Sequence, residues 1–118
     1  MTTEEIVKKL LEYIKNGQNV QAEEELYADD VVSYEQNGHF TKGKEATIEK
    51  TKQAFANISE FHGGGVSAAY VGTDSFILEF AMDITPLGGE RMEMKEYGFY
   101  KLRDGLVSEE YFFGQPLQ

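Results

Sequence analysis

Apolar residues in this chain recur first at helical spacing and then, past the middle, at every second position. Thr2 and Glu5 stand at capping-box spacing, and Ile6, Leu10, Leu11 and Ile14 form one apolar stripe that Gly17 ends. Asn19 is suited to cap a shorter helix in which Val20, Leu26 and Tyr27 face inward. Val31 to Glu35 reads as a short strand and Asn37-Gly38 as a turn. A third helix is expected from near Lys44, with Ile48, Thr51, Phe55 and Ile58 on one face. Gly63-Gly64-Gly65 is expected to be a turn; it has no following Lys-Ser or Lys-Thr, so it is not a phosphate cradle.

Period-two segments follow at Val66 to Val71, Ser75 to Thr85, Glu90 to Arg103 and Leu106 to Phe113. Gly72-Thr73-Asp74, Pro86-Leu87-Gly88-Gly89 and Asp104-Gly105 are the turns between them. Phe76, Leu78, Phe80, Met82 and Ile84 share one face, with Glu79 and Asp83 opposite. Met92, Met94, Tyr100 and Leu102 share a face with Glu96, while Tyr97 and Phe99 lie across the strand. Helices segregated from consecutive antiparallel strands predict an α+β fold. Strands this long must coil, so the expected shape is a cone-shaped roll: a strongly curved antiparallel sheet with three N-terminal helices on its concave face. Such a roll leaves a hollow where a small ligand fits.

At 118 residues the chain is expected to be a single domain, 1–118. Acidic residues outnumber basic ones 21 to 11, a balance that repels phosphate backbones and anionic lipid and argues against nucleic-acid or membrane partners. With no cysteine, disulfides and thiolate metal sites are excluded. His39 and His62 lack a second histidine at ligand spacing, so no metal site is expected. The acidic start and the absence of an apolar run of about 20 residues make a cytoplasmic location the expectation.

Three segments carry a resemblance: Leu26-Tyr27-Ala28-Asp29-Asp30-Val31-Val32, Gly43-Lys44-Glu45-Ala46-Thr47-Ile48, and Tyr97 to Ser108. On these the chain resembles the nuclear transport factor 2-like superfamily, in its SnoaL-like polyketide cyclase and ketosteroid isomerase branch. The resemblance implies a carboxylate base at the end of the first strand, which falls on Glu35. It also implies a second acid in the long penultimate strand, which falls at or within two residues of Glu96. Two positions depart from the pattern. Leu10 stands where the isomerase has its oxyanion tyrosine, with Tyr13 nearby as a substitute, and Gly114 stands where the SnoaL branch often has an aspartate.

The expected function is therefore binding of a small, apolar carbonyl compound, with acid–base isomerisation or cyclisation by Glu35 and Glu96. Tyr13, Tyr34, His39, Phe55, Met94, Tyr100 and Phe112 are the expected ligand contacts. No cofactor is needed for such proton transfer. The alternative is a non-catalytic ligand-binding or scaffold protein. Alternation of Phe99, Tyr111, Phe112 and Phe113 leaves one aromatic set on an outer sheet face, and the resemblance implies a homodimer through that face.

Overall fold

The computed structural model describes residues 1–116. Helix α1 spans Thr3–Lys15 and carries the predicted capping box: the Thr2 hydroxyl accepts from the Glu5 amide, and the Glu5 carboxylate accepts from the Thr2 amide. Helix α2 spans Asn19–Leu26, but Gln18 is its cap and no side chain closes its first turn. Tyr27 is already extended and opens β1, Tyr27–Tyr34. The sequence pattern started this strand at Val31, because Asp29 and Asp30 interrupt the apolar run. Both are exposed, and the strand tolerates them at a register shift against its neighbour.

A short β2, Phe40–Lys42, pairs back on β1. Helix α3 runs Lys44–Ala56 and ends at Asn57, so Ile58 belongs to the next strand and not to the helix face. That strand, β3, spans Ile58–Val71 and contains the whole glycine run. The expected turn at Gly63-Gly64-Gly65 is thus an irregular stretch inside a strand, with pairing shifts on both sides. Gly64 has φ +106°, and a Cβ there would lie 2.1 Å from the carbonyl oxygen of Ala81. Only glycine lets the two backbones approach so closely. Strands β4 (Ser75–Pro86), β5 (Met92–Arg103) and β6 (Leu106–Pro116) complete the chain.

The six strands form one sheet in the order β2-β1-β6-β5-β4-β3, with β1 parallel to β6 and every other pair antiparallel. This is a curved, unclosed sheet with three helices before it, an α+β architecture consistent with the expected roll. Register sorts the side chains into rows. Phe76, Tyr100, Glu110 and Ser33 are successive partners on the concave face; Leu78, Gly98 and Phe112 form the next row, and Phe80, Glu96 and Gly114 the one beyond. Ile6, Val7 and Leu10 of α1 pack with Leu26, Val31, Phe76, Leu78, Tyr100 and Val107 at the filled end. Phe76 stacks on Tyr100 with ring centroids 4.7 Å apart. No helix among the described residues is long and apolar enough to cross a membrane.

Leu78 is wholly buried at the centre of this core. Truncating it to alanine should lower unfolding stability by about 2–5 kcal/mol, read as a lower urea midpoint at unchanged slope. A loss below about 1 kcal/mol would mean that the core closes over the cavity or is organised elsewhere.

Candidate functional site

Beyond the core, the concave face turns polar. Glu110 of β6 is 2% exposed, and both its carboxylate oxygens are held: Tyr27 donates its phenolic hydrogen to one, and Ser33 donates to the other at 2.6 Å. The parallel pairing of β1 with β6 sets Ser33 directly beside Glu110. Burial pushes the Glu110 carboxyl above its ordinary value, against the opposing effect of these two hydroxyls and of Lys50. The Tyr27 and Tyr100 phenols are both driven well above the usual tyrosine range, first by burial and then by the Glu110 charge, so they stay neutral donors.

Helix α3 lies over this row and presents Thr47, Lys50 and Thr51, spaced three and four residues apart on one face. Lys50 donates to the Ser33 hydroxyl and to the Glu35 carboxylate, the latter at 2.8 Å. Its ammonium also stands 5.3 Å above the centre of the Phe112 ring. A continuous chain therefore runs from Glu35 at the rim through Lys50 and Ser33 to Glu110 at the floor.

Two more acids complete the set. Glu96 of β5 is pushed up by burial and next by the charge of Glu35; Lys50 acts the other way. Among the described residues it has no ion-pair or hydrogen-bond partner. Glu23 of α2 is 8% exposed and accepts from Thr51 at 2.6 Å through one oxygen; its other oxygen and the Thr47 hydroxyl are buried without partners. Burial pushes the Glu23 carboxyl up to about 7, with Glu110 adding to the shift. Four carboxylates thus face one ammonium. No three acidic or imidazole groups among the described residues converge as metal ligands would.

Two openings adjoin the cluster. A cavity of about 490 Å³ at the rim is lined by Glu35, Gln36, Asn37 and Gly114. A larger groove of about 1120 Å³, lined by Leu11, Ile14, Phe55, Val66, Phe80 and Met82 among others, runs between the helices and β3 and β4. Phe80 is the cross-strand partner of Glu96, so the groove borders the acidic row.

Of the residues singled out from sequence, Glu35, Glu96, Tyr100 and Phe112 come together on the concave face. Met94 lies one row further along, beside Met82. Phe55 lines the apolar groove and is half exposed. The other three stand apart. Tyr34 follows Ser33 and precedes Glu35, so its side chain takes the convex face, where it stacks on Tyr111 at 4.6 Å. His39 is exposed in the β1–β2 loop, bonded through its main chain to Glu35 and to the Asn37 side chain. Tyr13 packs, half-buried, against the edge of the core beside Glu25 of α2, which raises its phenol. Leu10 is buried core, so no hydroxyl reaches the cluster from α1. Gly114, in the place of an aspartate, has φ +136°, and a Cβ there would be 2.6 Å from the Lys95 carbonyl oxygen. A side chain at that position would displace the strand.

Sequence reasoning passed over Glu110, Lys50, Glu23, Tyr27 and Ser33. Three carried a signal. Glu110 is in phase with Phe112, as Glu96 is with Tyr100; Lys50 shares a helix face with Thr47 and Thr51; Glu23 lies midway between the inward Val20 and Leu26.

The model of the SnoaL-like domain matches residues 1–113. The chain belongs to the SnoaL-like family. Among solved structures it is similar to a candidate SnoaL-like polyketide cyclase from Mesorhizobium loti, at 41% identity and a TM-score of 0.87, over 96% of this chain and 99% of that one. Two more distant structures share the fold. One is a protein with a ketosteroid isomerase-like fold from Catenulispora acidiphila (18% identity, TM-score 0.74, over 95% of this chain and 86% of that one). The other is AclR, a candidate hydroxylase from Streptomyces galilaeus (12% identity, TM-score 0.74, over 96% and 88%). No curated protein matches the chain.

The acidic cluster of this SnoaL-like domain sets a pH dependence with a definite sign. Folded, Glu23 keeps its proton to about pH 7; unfolded, it releases it near the ordinary value of about 4.3. Between those values the folded chain binds more protons, so stability falls as pH rises, and the raised Glu96 and Glu110 act in the same direction. Urea unfolding from about pH 5 to about pH 8 should show that fall, and Glu23→Gln should fall less and outlast the wild type at the upper end. Equal slopes in the two proteins would rule out the buried Glu23 carboxyl as a source.

Proposed function

We propose that this SnoaL-like protein binds a small, largely apolar carbonyl compound and catalyses proton transfer next to its carbonyl. The observation that carries the reading is the juxtaposition of Glu35, Lys50 and Glu96, with Phe80 of the apolar groove as the cross-strand partner of Glu96. The groove accepts the apolar body. Glu35 takes a proton from the carbon beside the carbonyl, and the C–H electron pair moves into the enolate. Glu96, which burial pushes toward its protonated form, donates a hydrogen bond to the enolate oxygen, and Lys50 supplies positive charge close by. Glu35 then returns the proton to the same or a neighbouring carbon, so no cofactor is consumed.

The non-catalytic alternative draws support from Leu10 and Gly114. Neither supplies the polar group that catalytic relatives were expected to have there, and Gly114 cannot gain one without moving backbone. A probe with acidic α-hydrogens, 2-tetralone, separates the two. We expect it to raise the melting temperature and to exchange its α-hydrogens for deuterium faster with protein than in buffer. Glu35→Gln should cut that exchange by about 100-fold or more while still binding. Binding with exchange at the buffer rate would decide for a ligand-binding protein without chemistry.

The same reading includes a homodimer through the convex face. Tyr70, Ile77, Phe99, Tyr111, Tyr34 and Phe40 are successive cross-strand partners, one apolar and aromatic row across all six strands. Light scattering should give the mass of two chains, and Tyr111→Lys, which sets a charge in the middle of that row, should give one. A monomeric wild type would remove the dimer from the proposal.

A further inference from the structure

One row of the sheet joins the apolar groove to the rim cavity. Phe80, which lines the groove, pairs with Glu96, and Glu96 pairs with Gly114, which lines the rim cavity with Glu35, Gln36 and Asn37. Two strand spacings, about 10 Å, separate Phe80 from Gly114 along that row. A ligand whose body lies in the groove therefore reaches the rim with its other end, beside the Glu35 carboxylate.

Gln36 stands at that end with its side chain fixed. The last pair of β1 with β6 is Tyr34 with Tyr111, so the ladder brings no β1 carbonyl to the Gly114 amide three residues further on. The Gln36 side chain takes over: the Gly114 N–H donates to its Oε1 at 2.8 Å. A backbone N–H only donates, so the carboxamide has one orientation, with its oxygen on Gly114 and its NH2 arm turned away. The loop that carries Gln36 is closed by its own main chain. The Glu35 amide donates to the His39 carbonyl at 2.8 Å, and the Gly38 amide to the Glu35 carbonyl at 3.0 Å. Among the described residues the NH2 arm has no acceptor, which leaves its two donors to whatever enters the cavity.

We infer that Gln36 is a catalytic residue: its side-chain amide donates a hydrogen bond to the ligand oxygen on which charge develops while Glu35 removes the neighbouring proton. This rests on the function proposed above and deepens it by adding a donor to the same site. Leu10 brings no hydroxyl from α1, and Gly114, without a side chain, contributes its N–H as the anchor that orients Gln36. In the step the C–H electron pair moves into the enolate, the proton goes to Glu35, and Gln36 keeps its own hydrogens. Its donors meet more charge on the enolate than on the carbonyl, so their effect falls on the transition state.

The test is deuterium exchange of 2-tetralone by Gln36→Met and Gln36→Glu, with 2-naphthol, the aromatic analogue of its enol, as a binding probe. Gln36 is exposed, so both variants should melt with the wild type. Gln36→Met, of similar length but without the donors, should lower kcat about 100-fold with KM within about threefold, and should weaken 2-naphthol about tenfold or more. Gln36→Glu keeps an acceptor for the Gly114 N–H but has no amide donors, so it should be at least as slow. Exchange at the wild-type rate in either variant overturns the inference; for Gln36→Glu it would leave residue 36 only an anchor for Gly114. A loss confined to KM overturns it as well, because the amide would then act on the carbonyl before charge develops. If the wild type exchanges 2-tetralone no faster than buffer, the function proposed above fails and this inference with it. If the wild type and Gln36→Met exchange it equally fast above the buffer rate, this inference alone fails.

Discussion

The arrangement depends on one buried acid. Glu110 lies at the line where the first strand meets the last, and a carboxylate there is tolerable only because Tyr27 and Ser33 both donate to it. Those two hydroxyls sit on β1 on either side of a register shift. Their grip therefore fixes how β1 runs along β6, the only parallel pairing among the described residues. Sliding β1 by one residue would turn Ser33 to the convex face and leave Glu110 short of a donor, a far costlier change than the loss of one ladder bond. The register that satisfies Glu110 also brings Glu35 and Lys50 to the rim. Packing and chemistry share a constraint.

That constraint explains why the acids do not behave alike. Glu110 has two hydroxyl donors and Glu35 has an ammonium; Glu96 and Glu23 are desolvated with little to offset it. The Glu110 charge raises the cost of ionising Glu23 and Glu96 alike. Lys50 is the hinge of this balance, since its charge opposes the upward shift at Glu23, Glu96 and Glu110 alike. Acids that resist ionisation next to one that is ion-paired are what general acid–base chemistry requires.

The architecture was legible because it rests on periodicity. The α1 stripe and the alternation of Phe76, Leu78 and Ile84 survive into the structure as buried faces, and the capping box forms at the exposed start of α1. The polar centre was less legible, for a physical reason. Glu35 and Glu96 stand out in a sequence because each interrupts or ends an apolar pattern. Glu110 sits next to Glu109, and only the register with β5 tells which of the two points inward. Lys50 and Glu23 lie on helices whose other exposed positions are also charged, so composition masks them. Tyr34 failed as a pocket residue through parity alone: it flanks the inward Ser33 and Glu35 and must face out. The β3 glycines looked like a turn because nothing local shows that the backbone of β4 lies against Gly64.

Parity also separates two chemically different faces on one sheet. The concave rows alternate residue by residue with the convex row from Tyr70 to Phe40, so Ser33, Glu110 and Tyr100 each lie next to an apolar residue of the outer face. Neighbouring positions such as Ser33 and Tyr34, or Glu110 and Tyr111, therefore answer to different demands while sharing a backbone. A substitution that shifts the convex row, by altering twist or strand spacing, moves the concave acids by a comparable amount. The position of Glu35 is sensitive to such movement, because its contact with Lys50 spans 2.8 Å between a strand end and a separate helix. An interaction on the outer face, whatever covers it, would thus steady the geometry of the inner one.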